Sequence, residues 1–116
     1  MEPIEISQLQ QHIDRFANKE VYVHLETTNG AYASHNNQEA YNVGAFIRNA
    51  KVIYQRGQVV GAGTTYRVGL KLDIGWIYAE GVNQFELVGD TGVLMAGHDR
   101  EGRLMVALQI SETPFE

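Results

Sequence analysis

Cysteine is absent from this sequence, and that absence removes several classes of protein. Without a thiol, the chain has no disulfide, no thiolate zinc site, no iron–sulfur cluster and no cysteine nucleophile. Long hydrophobic runs are also missing, since no window approaches the roughly 18 apolar residues of a membrane-spanning helix. The first residues lack the basic region and the apolar core of a signal peptide. We therefore expect a cytoplasmic protein.

Positive charge is the next shortage. Nine lysines and arginines stand against fourteen acidic residues, for a net charge of −5, and the basic residues are scattered along the chain. Proteins that bind nucleic acid usually concentrate positive charge, because contacts with phosphate supply most of their non-specific affinity. The charge balance argues against nucleic-acid binding, although folding can still gather Arg48, Arg67, Arg100 and Arg103 on one surface.

The chain has ordinary globular proportions. Its 116 residues suit one domain, predicted to span residues 1–116, and 44% of them are apolar. A domain of this size buries roughly two-thirds of the surface that its unfolded chain exposes. It therefore needs neither a disulfide nor a metal ion in order to fold.

One segment near the start has the pattern of an amphipathic helix. Ser7 is a suitable N-cap, and Gln10, three residues later, completes a capping box. The predicted apolar face consists of Leu9, Ile13, Phe16 and Ala17. Asn18-Lys19 is the predicted end, because asparagine tolerates a left-handed cap. We expect this helix to cover a sheet.

After residue 20 the apolar period changes to two, as in half-buried strands. Asn29-Gly30 predicts a turn, residues 34–39 a polar loop, Asn49-Ala50 a bulge and residues 99–102 a hairpin connection. Twelve glycines punctuate the pattern. We predict a mainly β fold of about seven or eight antiparallel strands, with one N-terminal helix. Both a small β-barrel and a β-sandwich fit this pattern.

Three histidines suggest a metal site. His24 and Glu26 lie at i and i+2 on one face of a predicted strand, so their side chains can converge. Imidazole and carboxylate are suitable ligands for zinc or a similar divalent ion. With His35 and His98 they form a candidate ligand set, but the sequence has no dense metal motif. Histidines that share no site would give the same pattern in a chain of this size.

His98-Asp99 is a second candidate, for proton transfer or hydrolysis. An imidazole titrates near neutral pH, and a neighbouring carboxylate can orient it. The competing interpretation is structural, because Asp-Arg-Glu-Gly is a favourable turn sequence in which Asp99 bonds its own loop.

The aromatic residues support a third interpretation. Six tyrosines are many for this length, and some must present a hydroxyl group to solvent or to a partner. They suit a homodimer face, or a barrel mouth in which Arg48, Arg67 and Tyr78 recognise an anionic metabolite.

Several runs carry a more specific signal than any of these motifs. They are residues 23–35, 44–50, 66–71, 75–81, 96–102 and 113–115. Together they resemble the YojF family of small bacillar proteins over nearly the whole length. The resemblance implies a compact β structure and supplies no established catalytic residues. It also implies an accessory role in low-molecular-weight thiol metabolism, because members are encoded beside a zinc-dependent N-deacetylase of the bacillithiol pathway.

The leading interpretation is a non-enzymatic accessory or binding protein that associates with itself, as in a homodimer. The rival is a small metal-binding protein or hydrolase. The candidate polar site residues are His24, Glu26, His35, Arg48, Arg67, His98 and Asp99.

Overall fold

The computed structural model describes residues 1–28, 44–61 and 63–116, and these ranges form one helix and nine strands. The elements are β1 (Glu2–Pro3), α1 (Ile6–Arg15), β2 (Val21–Thr28), β3 (Gly44–Val52), β4 (Arg56–Val60), β5 (Tyr66–Lys71), β6 (Trp76–Val82), β7 (Gln84–Val88), β8 (Gly92–His98) and β9 (Leu104–Ser111). Within the same ranges, no helix has both the length and the apolar character needed to span a bilayer.

The strands form two antiparallel sheets. The larger sheet has the order β1-β7-β8-β9-β2-β3, and the smaller has the order β4-β5-β6. Consecutive strands change sheets twice, from β3 to β4 and from β6 to β7. Neither sheet closes on itself, so the prediction of a sandwich is confirmed and the barrel alternative is wrong. The physical reason is that β1 and β3 end the large sheet without pairing to each other.

The hydrophobic core lies between the two sheets and is completed by α1. The helix contributes Leu9, Ile13 and Phe16, which are fully buried, and Ala17 packs at the edge of the cluster. The apolar face predicted from helical spacing is therefore confirmed.

The predicted N-terminus of the helix is wrong in detail. Glu5 is the N-cap, and its carboxylate accepts from the N–H groups of Ser7 and Gln8 at 3.3 and 2.7 Å. These bonds, led by one from the Ser7 hydroxyl group, lower the pKa of Glu5. Because Glu5 caps the helix, Gln10 does not take part in a capping box, and its side chain contacts β4 instead. The helix ends at Arg15, and Asn18, just beyond it, has the left-handed φ of 64°.

The predicted bulge in β3 is present. Val23 faces Ala50 and Leu25 faces Ile47, so β3 carries one more residue than β2 between these pairs. Asn49 takes a φ of 58° there, which asparagine tolerates better than most residues. The hairpin connection at residues 99–102 also joins β8 to β9 as predicted. The turn at Asn29-Gly30 and the loop at 34–39 lie outside the described residues.

Candidate functional site

His24 and Arg48 come together at the bulge between β2 and β3. A guanidinium nitrogen of Arg48 lies 3.3 Å from Nδ1 of His24. Because guanidinium has no acceptor, this bond requires Nδ1 of His24 to be unprotonated. The imidazole also meets the ring of Phe46 edge to face, with centroids 5.2 Å apart.

The chain's own last residues cover this cluster. Asn49 accepts from the N–H of Phe115 at 2.7 Å and donates to its carbonyl oxygen at 2.8 Å. Arg48 donates to the main-chain oxygen of Glu116 at 2.7 Å, and its guanidinium lies 4.9 Å from the centre of the Phe115 ring. The bulge thus presents two side chains that hold the C-terminal segment in place.

Glu26 lies farther along β2, beside a cleft of about 480 Å³. The described residues that line it are Glu26, Thr27, Thr28, Gly44, Ala45, Phe46, Leu104 and Met105. Among these lining residues, Glu26 has the one charged side chain. It is the cross-strand partner of Phe46. The cleft therefore has no described cation or histidine in its lining that would complete a catalytic pair.

Asp99 organises the β8–β9 connection. One carboxylate oxygen accepts from the N–H groups of Glu101 and Arg103, each at 2.9 Å, and the other accepts from Nε of Arg103 at 2.9 Å. These contacts, led by the N–H of Arg103, lower the pKa of Asp99. The structural interpretation of this aspartate fits the geometry, since its bonds go to the turn and none orients His98.

His98 has a separate environment. Its main-chain oxygen accepts a long bond of 3.5 Å from the Asn83 amide. Its Nδ1 and Oδ1 of Asn83 are buried atoms without a hydrogen-bond partner in the described part of the chain.

Two of the predicted metal ligands, His24 and His98, lie apart in the large sheet. His24 faces Gln109, which faces Leu94, and His98 stands four residues beyond Leu94 on β8. Strand rise and spacing put the Cα atoms of His24 and His98 roughly 16 Å apart, and side chains stand perpendicular to a sheet. Among the described residues, no group of three His, Asp or Glu side chains is placed to hold a metal ion. His35 lies outside the described residues.

A different surface gathers charge and aromatic rings, the outer face of the small sheet. We call it the basic aromatic face. Its three cross-strand rows are Arg56, Lys71 and Trp76; Gln58, Gly69 and Tyr78; and Val60, Arg67 and Glu80. The intervening residues of these strands, such as Val59, Val68 and Ala79, are buried in the core. The alternation therefore turns all nine positions outward.

The rings and cations of this face form a layered stack. Trp76 and Tyr78 are nearly parallel, with an interplanar angle of 8° and centroids 5.4 Å apart. The guanidinium of Arg56 and the ammonium of Lys71 lie 5.6 and 5.9 Å from the Trp76 centroid. The guanidinium of Arg67 lies 5.1 Å from the centroid of the Tyr78 ring. Each ring therefore stacks on the other and has at least one cation within 6 Å of its centre.

Gly69 makes room for the stack. A Cβ atom at this position would lie 2.8 Å from Cε1 of Tyr78 and 3.2 Å from Cε3 of Trp76. Any side chain on β5 at this point would push the rings away. The glycine is therefore part of the aromatic arrangement.

The face has the opposite charge to the molecule. It carries three cations against the single carboxylate of Glu80, which pairs with Arg67, whereas the whole chain has a net charge of −5. The predicted barrel mouth is corrected here, because Arg67 and Tyr78 share this face but Arg48 belongs to the large sheet. Of the candidate polar site residues within the described ranges, Arg67 alone lies on the basic aromatic face.

Comparison with known proteins identifies the family. The model of the family described as "Protein of unknown function (DUF1806)" matches residues 3–115. The chain belongs to this family. The resemblance found in the sequence is thereby confirmed.

One curated relative is similar over almost the whole length. It is the uncharacterized protein YojF of Bacillus subtilis (strain 168), which is 47% identical over 115 residues, or 99% of this chain and 98% of the relative. The crystal structure of the Bacillus subtilis YojF protein is also similar, with a TM-score of 0.79 and 41% identity. It covers 99% of this chain and 96% of that one. This DUF1806 chain thus shares its fold with a solved structure, and the description of the family adds no activity.

Of the five rings and cations on this face of the DUF1806 chain, sequence reasoning missed three, namely Arg56, Lys71 and Trp76. The alternation of Trp76 and Tyr78 was a usable signal, because i and i+2 side chains share a face. The meeting of Arg56 and Lys71 had no local signal, since it depends on strand register.

Proposed function

We propose that this chain is a non-enzymatic binding protein that docks an acidic protein partner on its basic aromatic face. The observation that carries the proposal is the stack of Trp76, which is partly exposed, and Tyr78, which is exposed, with cations over both rings. Tryptophan, tyrosine and arginine are the residue types that most often dominate the binding energy of protein interfaces. A partner with the opposite charge would also associate faster, because complementary fields steer the encounter.

The shape of the face favours a protein over a small metabolite. Sites for small molecules are concave and bury most of the ligand. The basic aromatic face is the outer surface of a three-stranded sheet, and Tyr78 on it is 47% exposed. An open surface of this kind suits the broad contact of a protein interface.

The same stack argues against single-stranded nucleic acid as the occupant. Proteins that bind single strands offer free aromatic faces on which bases stack. Here Trp76 stacks on Tyr78, and Arg56 and Lys71 both lie over its ring. A base would have to displace the cations, and with them the charges that attract phosphate.

A binding role also agrees with the placement of the candidate catalytic residues. His24 bonds Arg48, Asp99 holds its own turn, and Glu26 lines a cleft without a described basic partner. The contacts of His24 and Asp99 thus have structural explanations, and none of the three forms a catalytic pair with another. These contacts support the binding interpretation over a hydrolase.

The resemblance supplies the first partner to test. That resemblance implies a neighbouring zinc-dependent N-deacetylase of the bacillithiol pathway, and we propose that enzyme as the acidic partner. Size-exclusion chromatography with light scattering should show a complex at micromolar concentrations. The same run measures self-association of this chain, which is the alternative use of the face. Independent elution of both proteins would reject this partner.

Charge reversal on the face tests the surface itself. The double variant R56E/K71E should bind the partner at least about tenfold more weakly, or about 1.4 kcal/mol, because the complementary charge is lost. The matched control is K19E/K51E, which changes the net charge equally at cations that pair with Glu112 and Glu20 elsewhere. Calorimetric titration measures both affinities. Equal weakening in the two variants would place the contact outside the basic aromatic face.

A further inference from the structure

Two like charges stand directly opposite each other on the basic aromatic face. Arg56 on β4 is the cross-strand partner of Lys71 on β5. Like charges at directly opposed positions destabilise a sheet. A sequence under no other demand would place an acid or a neutral residue at one of these positions.

Neighbouring residues do not neutralise this pair. Other cations of the chain reach carboxylates within 4 Å, as Lys19, Lys51 and Arg103 do. Neither Arg56 nor Lys71 forms such an ion pair within the described residues. Glu80, the carboxylate of the face, is bound to Arg67 in the third row.

Trp76 brings the two charged groups together. It is the cross-strand partner of Lys71, so the three residues form one continuous row. Both cations lie within 6 Å of the centre of its ring. Attraction to the ring holds the cations there, but it leaves their net charge in place. One oxygen-rich anion can therefore contact both groups.

We infer that Arg56 and Lys71, held over Trp76, form a subsite for a single oxyanion, either a carboxylate or a phosphate. This inference rests on the proposed function, since it names the group that the face would recognise. The bound anion supplies the negative charge that the row lacks. Like charges at opposed positions of a sheet are expected where the residues serve binding rather than stability.

The test uses Trp76 as its own reporter, because it is the single tryptophan of the chain. Sodium phosphate and sodium glutarate are titrated separately at constant ionic strength, while tryptophan emission and the melting temperature are recorded. Either anion should change the emission in a saturable way. At ten times its Kd, the anion should raise the melting temperature by about 5 °C.

Two neutralising variants separate binding from folding. Arg56→Gln and Lys71→Gln should each lose at least tenfold in anion affinity. Their melting temperatures without anion should equal or exceed that of the unmodified chain, because the repulsion is relieved. The control Lys51→Gln, on β3, should keep the full response.

The outcomes also identify the source of the anion. A response to glutarate and phosphate supports the subsite and shows that an acidic side chain of a partner suffices. A response to phosphate alone supports it and points to a phosphorylated group. The inference is overturned if neither anion gives a saturable response, or if the glutamine variants respond like the unmodified chain. If it fails while R56E/K71E still weakens the partner complex, the proposed function stands without the subsite.

Discussion

Tyr54 joins the helix to the sheets through one hydrogen bond. Its side chain is fully buried, and its hydroxyl group donates to the carbonyl oxygen of Ile13 at 2.6 Å. Burial, with a smaller contribution from the negative charge of Asp14, raises the pKa of Tyr54 above its ordinary value. The residue therefore remains neutral in the fold well beyond the pH at which a free tyrosine ionises.

The variant Tyr54→Phe tests this bond. We expect it to lower the free energy of unfolding by about 1 kcal/mol at neutral pH, the usual net value of a buried neutral hydrogen bond. Chemical denaturation measures the loss. Because the folded-state pKa is raised, the contribution of Tyr54 is complete below its unfolded pKa of about 10 and is lost as the pH rises further. The variant should lack this alkaline component, and a parallel decline in both proteins would contradict the assignment.

Gly57 shows the limit of single-residue reasoning from the sequence. A Cβ atom there would lie 2.0 Å from Cγ2 of Ile13, so the helix can approach β4 closely only at a glycine. By itself, the sequence Arg56-Gly57-Gln58 predicts a tight connection between strands. Its place inside β4, beneath a helix that lies far away in the chain, depends on tertiary packing.

At the scale of elements, α1 protects the edge of the small sheet. Gln10 accepts from the N–H of Val59 at 3.0 Å and donates to the carbonyl oxygen of Gly57 at 2.8 Å. An unpaired strand edge invites pairing with other chains, and covering it is one of the usual protections. The Gln10 side chain thus forms hydrogen bonds with β4 of the kind that a neighbouring strand would form.

Replacement of Gln10 should expose that edge. We expect Gln10→Ala to cost about 1–3 kcal/mol, because two partly buried main-chain groups of β4 lose their partners. Thermal and chemical unfolding measure the change, and aggregation at high concentration should increase. Gln8→Ala, at an exposed position of the same helix, is the control. A similar effect of both substitutions would mean that helix propensity, and not edge capping, was responsible.

Much of the element structure was predictable, because it is encoded by near neighbours. The apolar face of α1, the alternation in β2 and the bulge at Asn49 follow from spacing and from the tolerance of asparagine for a positive φ. The role of Gln10 was not predictable, because its partners lie 47 and 49 residues away. Capping-box logic assigned it to the helix, whereas the fold uses it on β4.

At the scale of the whole molecule, charge is unevenly distributed. A chain with a net charge of −5 carries three of its nine basic residues on nine outward positions of one small sheet. Composition alone therefore conceals a local excess of positive charge on this face. At 0.1 M ionic strength, salt largely screens interactions between exposed charges that are more than about 10 Å apart.

The salt dependence of partner binding follows from this distribution. The association rate should fall at least several-fold between about 0.05 and 0.5 M salt, since electrostatic steering is screened. Stopped-flow mixing or surface plasmon resonance measures it. R56E/K71E should show a much weaker or reversed dependence, while K19E/K51E should retain the native slope. A rate independent of salt would show that charge does not guide the encounter.

The sequence by itself determined a mainly β chain with one amphipathic helix, its family and the absence of cysteine chemistry. These properties depend on composition, on local periodicity and on runs of adjacent residues. Only the tertiary structure decided that the sheets form a sandwich, that His24 lies far from His98, and that Arg56 faces Lys71 over Trp76. Those facts depend on register between strands, and a shift of one residue would turn every side chain to the opposite face.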